Sequence, residues 1–146
     1  MLVDLAEAIT SDGISLSGAY FEAKGDAGLG VDCLIYFHGD SGNFYGSLLR
    51  QLGEMFSEAG LAFLAANRRG HDMVSTGVRG GPLKGYAFES VEESRLDATA
   101  WLEFLKKKGH RKIAIGGHSG GAVRATYAQA TEHFENVAAV VSVSPG

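Results

Sequence analysis

Short apolar runs alternate along this chain with stretches in which apolar residues return at helical spacing, a pattern that predicts an α/β sheet. Ahead of that alternation, residues 5–10 and 14–22 flank Ser11-Asp12-Gly13, a turn sequence that predicts an antiparallel hairpin at one sheet edge. Residues 32–37 carry the unbroken run Cys33-Leu34-Ile35-Tyr36-Phe37, as expected of a strand covered on both faces. Over residues 43–59, Phe44, Leu48, Leu49, Leu52, Met55, Phe56 and Ala59 share one helical face, and Gly60 supplies a stop. A second buried strand follows at residues 61–66. Residues 67–85 then form a long glycine-rich loop holding Arg68, Arg69, His71, Asp72 and Arg79, and loops of that length in compact domains are commonly functional. Residues 89–108 return to helical spacing through Val91, Ala98, Trp101, Leu102 and Leu105 and end in lysines before Gly109. A strand at 112–115, a helix at 121–133 and a final buried strand at 137–143 complete the pattern. The expected order is β-β-β-α-β-α-β-α-β: a mostly parallel sheet with an antiparallel amino-terminal hairpin, helices on both faces and right-handed crossovers.

A chain of 146 residues is enough for one domain with a real core, so residues 1–146 are read as a single unit. Apolar residues at 45% and charged residues at 21% fit neither a disordered nor a membrane-spanning class. A net charge of -4 leaves no electrostatic footprint for nucleic acid. The basic run Lys106, Lys107, Lys108, Arg111 and Lys112 flanks a helix end, where cations complement the dipole. Cys33 is the only cysteine, which excludes an internal disulfide and a multi-cysteine zinc site and favours a reducing compartment. Residues 1–10 contain Asp4 and Glu7 and lack the pattern of a signal peptide, and no stretch has the length of a membrane span. These observations predict a cytoplasmic protein with neither membrane nor nucleic acid as a partner.

Directly after the strand at 112–115 stands Gly116-Gly117-His118-Ser119-Gly120-Gly121-Ala122, which matches Gly-x-Ser-x-Gly between a strand and a helix. In that context the serine sits on a strained turn, the flanking glycines remove Cβ atoms that would clash, and the hydroxyl projects above the sheet. The amino end of the next helix points at the reacting centre, so its amides favour the negative charge of acyl transfer. Ser119 is therefore the candidate nucleophile, on a turn built by Gly117, His118 and Gly121. A second feature, His38-Gly39-Asp40-Ser41-Gly42, follows the first parallel strand and lies where an oxyanion loop belongs. The expected donors are the amides of Gly120 and Asp40, with Ser41 the alternative if the loop runs one residue further. His38 and Gly39 are expected to shape that loop rather than react.

With these motifs in place the chain resembles the amino-terminal part of an α/β-hydrolase, the family of esterases, lipases and related acyl hydrolases. The resemblance runs along essentially all of the sequence: the leading hairpin, the strand ending in His38-Gly39, Asn67-Arg68-Arg69-Gly70-His71-Asp72, and the elbow at Ser119. It implies an acyl-enzyme on Ser119, ester-like small-molecule substrates and no metal or organic cofactor. The helix from Asn43 and the long loop hint at small-ester or siderophore-type esterases. It also implies that His71 and Asp72 shape the floor of the site. Separately, Leu83, Tyr86 and Phe88 in the long loop are candidates to line an acyl pocket, although aromatic residues in such loops more often just pack the loop down.

In this family the triad acid and base follow the nucleophile. Past Ser119 the chain offers only Glu132, His133 and Glu135, at the far end of the helix that starts at the nucleophile. At about 1.5 Å per residue His133 would lie on the order of 20 Å from Ser119, too far to act as base. His71, reaching in from its loop, would break the family's order. The expectation is a truncated α/β-hydrolase fold whose acid and base lie outside these residues. Residues 137–143 would then be an unpaired apolar sheet edge, to be covered by a second copy or a complementing carboxy-terminal fragment. The alternative is a non-catalytic α/β-hydrolase-like binding or assembly module that keeps the elbow as architecture.

Overall fold

The computed structural model describes residues 3–146. Strands β1 (Asp4–Ile9) and β2 (Ser15–Phe21) form the hairpin, paired in register from Asp4 with Tyr20 to Ile9 with Ser15. β3 (Cys33–Phe37) and β4 (Ala62–Ala66) are buried at every position. α1 (Ser47–Glu58) lies between them in the chain. A short ribbon, β5 (Ser75–Thr76) with β6 (Leu83–Lys84), precedes α2 (Ser94–Lys107), β7 (Ile113–His118), α3 (Gly120–Glu132) and β8 (Val137–Val143). The six-stranded sheet runs β1-β2-β4-β3-β7-β8, parallel except where β2 meets β1 and β4. No helix among the described residues is long and apolar enough to cross a membrane.

The period-two alternation of the strands sorts the core into two layers. Leu34, Tyr36, Phe63 and Phe21 face α1 through Leu49, whereas Ile35, Phe37, Leu64 and Ile115 face α2 and α3 through Trp101, Leu105 and Ala125. Trp101 is fully buried, and its indole N–H donates to the Asn67 carbonyl at 2.7 Å, so the largest core side chain also has its polar atom satisfied. Helices thus cover both faces, as the pattern predicts.

Several boundaries differ from the sequence expectations for local reasons. The helix expected from residue 43 begins at Ser47, because Asn43 and Phe44 are engaged elsewhere: Asn43 Nδ2 donates to Asp72 Oδ1 at 3.0 Å and the Phe44 amide to Asn67 Oδ1 at 2.7 Å. The helix expected from residue 89 begins at Ser94, since the Ser90 amide is taken by the Glu93 carboxylate and Glu89 turns inward. The loop at 67–85 is not wholly irregular, for it carries the β5–β6 ribbon. β7 extends three residues beyond the expected strand, to His118, and α3 starts at Gly120. The largest correction concerns β8: it is not a buried strand. It pairs with β7 alone, and Val140, Val141 and Val143 are exposed because no element among the described residues packs outside it.

Candidate active site

β3 and β7 are neighbours whose following helices leave for opposite faces, α1 toward one layer and α3 toward the other. Such a switch point opens a crevice at the carboxyl ends of the strands. The β3–β7 register ends with Phe37 beside Gly117, so the next residues of each chain segment, His38-Gly39 and His118-Ser119, rise side by side. This pairing brings the two sequence-predicted motifs together. A Cβ on Gly39 would lie 3.1 Å from His118 Nδ1 and 3.4 Å from the Ser119 Cβ.

Ser119 occupies the turn between β7 and α3 with φ 54 and ψ -128, a conformation that costs a non-glycine residue of order 1–3 kcal/mol. The strain is held from both sides. The Ser119 amide donates to the Val143 carbonyl of β8 at 3.0 Å, and its own carbonyl accepts from Ala122 at 2.9 Å and Val123 at 3.3 Å. The glycines around it give the room the turn needs: a Cβ on Gly117 would meet Gly121 at 2.6 Å and the Phe37 carbonyl at 2.7 Å. His118, flanking the serine, is exposed, and Ser119 itself is half-buried at the mouth of the crevice.

On the other wall, the Gly39–Asp40 peptide is fixed through its carbonyl. Gly39 O accepts from His38 Nδ1 at 2.8 Å, from the Gly42 amide at 3.1 Å and from Arg68 Nη2 at 3.3 Å. Since a carbonyl only accepts, His38 carries its hydrogen on Nδ1, and its Nε2 has no partner among the described residues. Burial, and then the Arg68 charge, lower the His38 pKa to about 3, so the ring is neutral at pH 7 and suited to hold the loop, not to exchange protons. The Asp40 and Gly120 amides donate to no backbone carbonyl among the described residues. Ser41 stands at φ 53. A cleft beside the loop is lined by Tyr36, His38, Asn43, Leu48 and His118.

His71 and Asp72 lie beside the same loop. His71 Nδ1 is 2.8 Å from Asp72 Oδ2, Asp72 Oδ1 also accepts from Asn43, and the Asp72 amide donates to the Gly42 carbonyl at 2.8 Å. His133 caps α3 at its far end in the left-handed conformation. Tyr86 and Phe88 are exposed at the end of the ribbon loop and Leu83 on its second strand. Among the described residues no three His, Cys, Asp or Glu side chains gather as a metal site. A larger cavity of about 510 Å³ opens at the amino ends of β7 and β8, against Leu102, His110 and Phe134, away from Ser119.

Sequence reasoning gave no role to the charges beneath the site. Arg68, with a side chain 1% exposed, binds Asp40 Oδ1 at 3.0 Å and the buried Glu89; Arg124 binds Glu89 at 2.6 Å and Asp40 Oδ1 at 3.3 Å. Next to them Arg69 is gripped by Asp97 at 2.9 Å, Asp12 at 2.7 Å and Glu93 at 3.1 Å. Arg124 and Asp97 sit in the buried stripes of α3 and α2, among Ala122, Ala125 and Ala128 or Ala98, Trp101 and Leu105. A charge interrupting an apolar stripe at helical spacing is the signal that could have found them.

The chain aligns with solved structures over nearly its whole length. It matches the α/β hydrolase GrgF from Penicillium sp. sh18 with a TM-score of 0.75 at 20% identity, over 97% of this chain and 45% of that one. This chain has the α/β-hydrolase fold. The Pyrococcus furiosus esterase Pf2001 matches at 0.71 and 21%, over 95% and 49%, and Est1E from Butyrivibrio proteoclasticus, with ferulic acid bound, at 0.70 and 24%, over 92% and 51%. The chain thus spans about half the length of each of these α/β-hydrolase-fold structures. No family model matches it, and no curated protein matches it in sequence.

Proposed function

We propose that this α/β-hydrolase-fold chain carries the nucleophile half of a serine hydrolase of carboxylic esters or related acyl compounds. The observation that carries the reading is the backbone of Ser119: φ 54 and ψ -128 at the first turn of α3, with the Gly39–Asp40 peptide on the facing wall. A strained, half-exposed serine at a helix amino end beside a second loop amide is the arrangement that acyl transfer needs. In the forward step Ser119 Oγ attacks the acyl carbon and loses its proton to a base, and the carbonyl oxygen takes up negative charge. The Gly120 and Asp40 amides would bind that oxygen. The tetrahedral intermediate then expels the alcohol, which takes the proton back from the base, leaving an acyl-enzyme that water hydrolyses to the acid and free Ser119.

The base and its carboxylate are not supplied by the residues that follow Ser119 here, since His133 caps the far end of α3. The reading assigns both to a complementing segment, matching the half of each neighbour that has no counterpart in this chain. The same segment, or a second copy of the chain, would cover the exposed valines of β8. The test is labelling with a fluorophosphonate and location of the adduct by peptide mass spectrometry, with Ser119→Ala as control. Adduct on Ser119 supports the hydrolase. A folded chain that stays unlabelled, alone and with a complementing carboxy-terminal segment, sinks the reading and favours a binding module built on the same architecture.

A further inference from the structure

Arg68, Asp40, Arg124 and Glu89 close into a ring of alternating charge. Each guanidinium touches both carboxylates: Arg68 reaches Asp40 at 3.0 Å and also Glu89, while Arg124 reaches Asp40 at 3.3 Å and Glu89 at 2.6 Å. The four residues come from four separate pieces of the chain: the loop after β3, the loop after β4, the approach to α2, and α3. Two positive and two negative charges cancel, so the ring can be buried without an uncompensated ion. The side chains of Arg68 and Glu89 are 1% and 2% exposed. Burial and the adjacent Arg68 charge pull Arg124 below the ordinary arginine value, a cost that the Glu89 and Asp40 carboxylates offset in part.

The ring is joined to the backbone at two places that matter for chemistry at Ser119. Arg68 Nη2 donates to the Gly39 carbonyl at 3.3 Å, and Arg124 Nη1 donates to the Gly120 carbonyl at 3.1 Å. Gly39 C=O and Asp40 N–H belong to one planar trans peptide, so a donor fixed on the carbonyl fixes the N–H on the opposite edge. A positive charge behind the carbonyl also polarises that peptide and strengthens the N–H as a donor. The Gly120 carbonyl belongs to the same residue as the second oxyanion amide, one peptide unit along, and Arg124 secures it within the first turn of α3.

We infer that Arg68 is a positioning residue for the oxyanion site: locked in a ring with Asp40, Arg124 and Glu89, it holds the Gly39–Asp40 peptide so that its amide faces the acyl oxygen. The inference rests on Ser119 being the nucleophile. It gives the ring, buried except at Asp40, a task beyond stability, which apolar residues of equal volume would serve as well or better in its buried part. Lysine at position 68 keeps the charge but loses the planar fork that reaches Gly39, Asp40 and Glu89 together.

The experiment uses the full chain, with its complementing segment if labelling requires one, and the variants Arg68→Lys and Glu89→Gln. Fluorophosphonate labelling of Ser119 is followed over a range of probe concentrations to separate the rate at saturation from the apparent binding constant. In parallel, ¹⁵N relaxation gives the order parameter of the Asp40 amide. The expected result is a saturating rate lowered about tenfold with binding unchanged within about twofold, and an Asp40 order parameter falling from near 0.85 toward 0.6 while the β3 and β4 amides stay rigid. Folded variants with wild-type saturating rate and a rigid Asp40 amide overturn the inference. If Arg68→Lys does not fold, Glu89→Gln decides, because it weakens the ring without touching the Gly39 bond donor. Failure of the wild-type chain to label, by contrast, counts against Ser119 as nucleophile, and the Asp40 relaxation comparison still shows whether Arg68 holds the peptide.

Discussion

The Asp40 carboxylate lies directly over the α-carbon of Gly120, where a Cβ would overlap Asp40 Oδ1 and approach Arg124 Nη1 to 2.9 Å. Position 120 must therefore be glycine for as long as position 40 carries a carboxylate bound to two arginines. Gly120→Ala is expected to push Asp40 off its arginines, lower the melting temperature and slow Ser119 labelling by about tenfold or more. Adding Asp40→Gly to that variant removes the overlap with the carboxylate and leaves only the approach to the mobile end of Arg124. The two substitutions touch and so are expected to be non-additive: the double variant melts above the value obtained by summing the single effects. Strict additivity would mean that the two residues do not press on each other.

The strain at Ser119 has a measurable counterpart. Glycine populates positive φ without penalty, so Ser119→Gly is expected to raise unfolding free energy by about 1 kcal/mol, whereas Ser119→Ala keeps the strain and gains nothing. Urea unfolding of the three proteins makes the comparison. A glycine variant no more stable than the alanine variant would mean that the turn is relaxed.

How much of this was legible in advance depended on whether a residue's surroundings are local in sequence. The unbroken apolar runs of β3 and β4, and a Gly-x-Ser-x-Gly string placed between a strand and a helix, carry their meaning in adjacent residues, and the fold followed from them. The partners of Asp40 do not: Arg68 and Arg124 stand 28 and 84 positions away, and only the closed sheet brings them to one place. Helix starts failed for a related reason. Apolar spacing continues through residues 43–46, but the Phe44 amide is claimed by Asn67, which lies 23 residues on. By itself the apolar run of β8 reads as a buried strand; it is the expectation of an uncovered sheet edge at residues 137–143 that the exposed Val140, Val141 and Val143 bear out.

Buried His38 makes the protein sensitive to mild acid, and the sign follows from linkage. Its ordinary value is 6.5 and its folded value about 3, so between these the unfolded chain binds a proton that the folded protein refuses. Stability contributed by this residue is complete above pH 6.5 and falls as pH drops toward 3, with a limiting slope of about 1.4 kcal/mol per pH unit. His38→Gln removes the titration. Its unfolding free energy should vary less than the wild type's between pH 7 and pH 4, even though the variant is less stable at pH 7 through loss of the bond to the Gly39 carbonyl. Parallel pH profiles for the two proteins would exclude His38 as the source.

The second arginine of the pair, Arg69, is held by a different logic from Arg68, and mutation should separate them. Asp97 receives both the Arg69 amide at 2.8 Å and its Nε at 2.9 Å, and both side chains are almost fully buried; Asp12 and Glu93 reach the same guanidinium from half-exposed positions. Removing the buried partner leaves an amide and a charge unsatisfied in the interior, so Asp97→Ala is expected to cost about 3 kcal/mol. Asp12 also loses hold of its proton through its bond to Arg69, which keeps its carboxyl well below the ordinary range. Its stabilisation is therefore present above about pH 4 and lost below it, but solvent screening keeps it small, and Asp12→Asn should cost under about 1 kcal/mol at neutral pH. Arg69 bonds neither Gly39 nor Asp40, so Asp97→Ala should lower the melting temperature while the saturating rate of Ser119 labelling in the folded fraction stays near that of the wild type. A labelling defect as deep as that of Arg68→Lys would show that the two arginines form one functional unit.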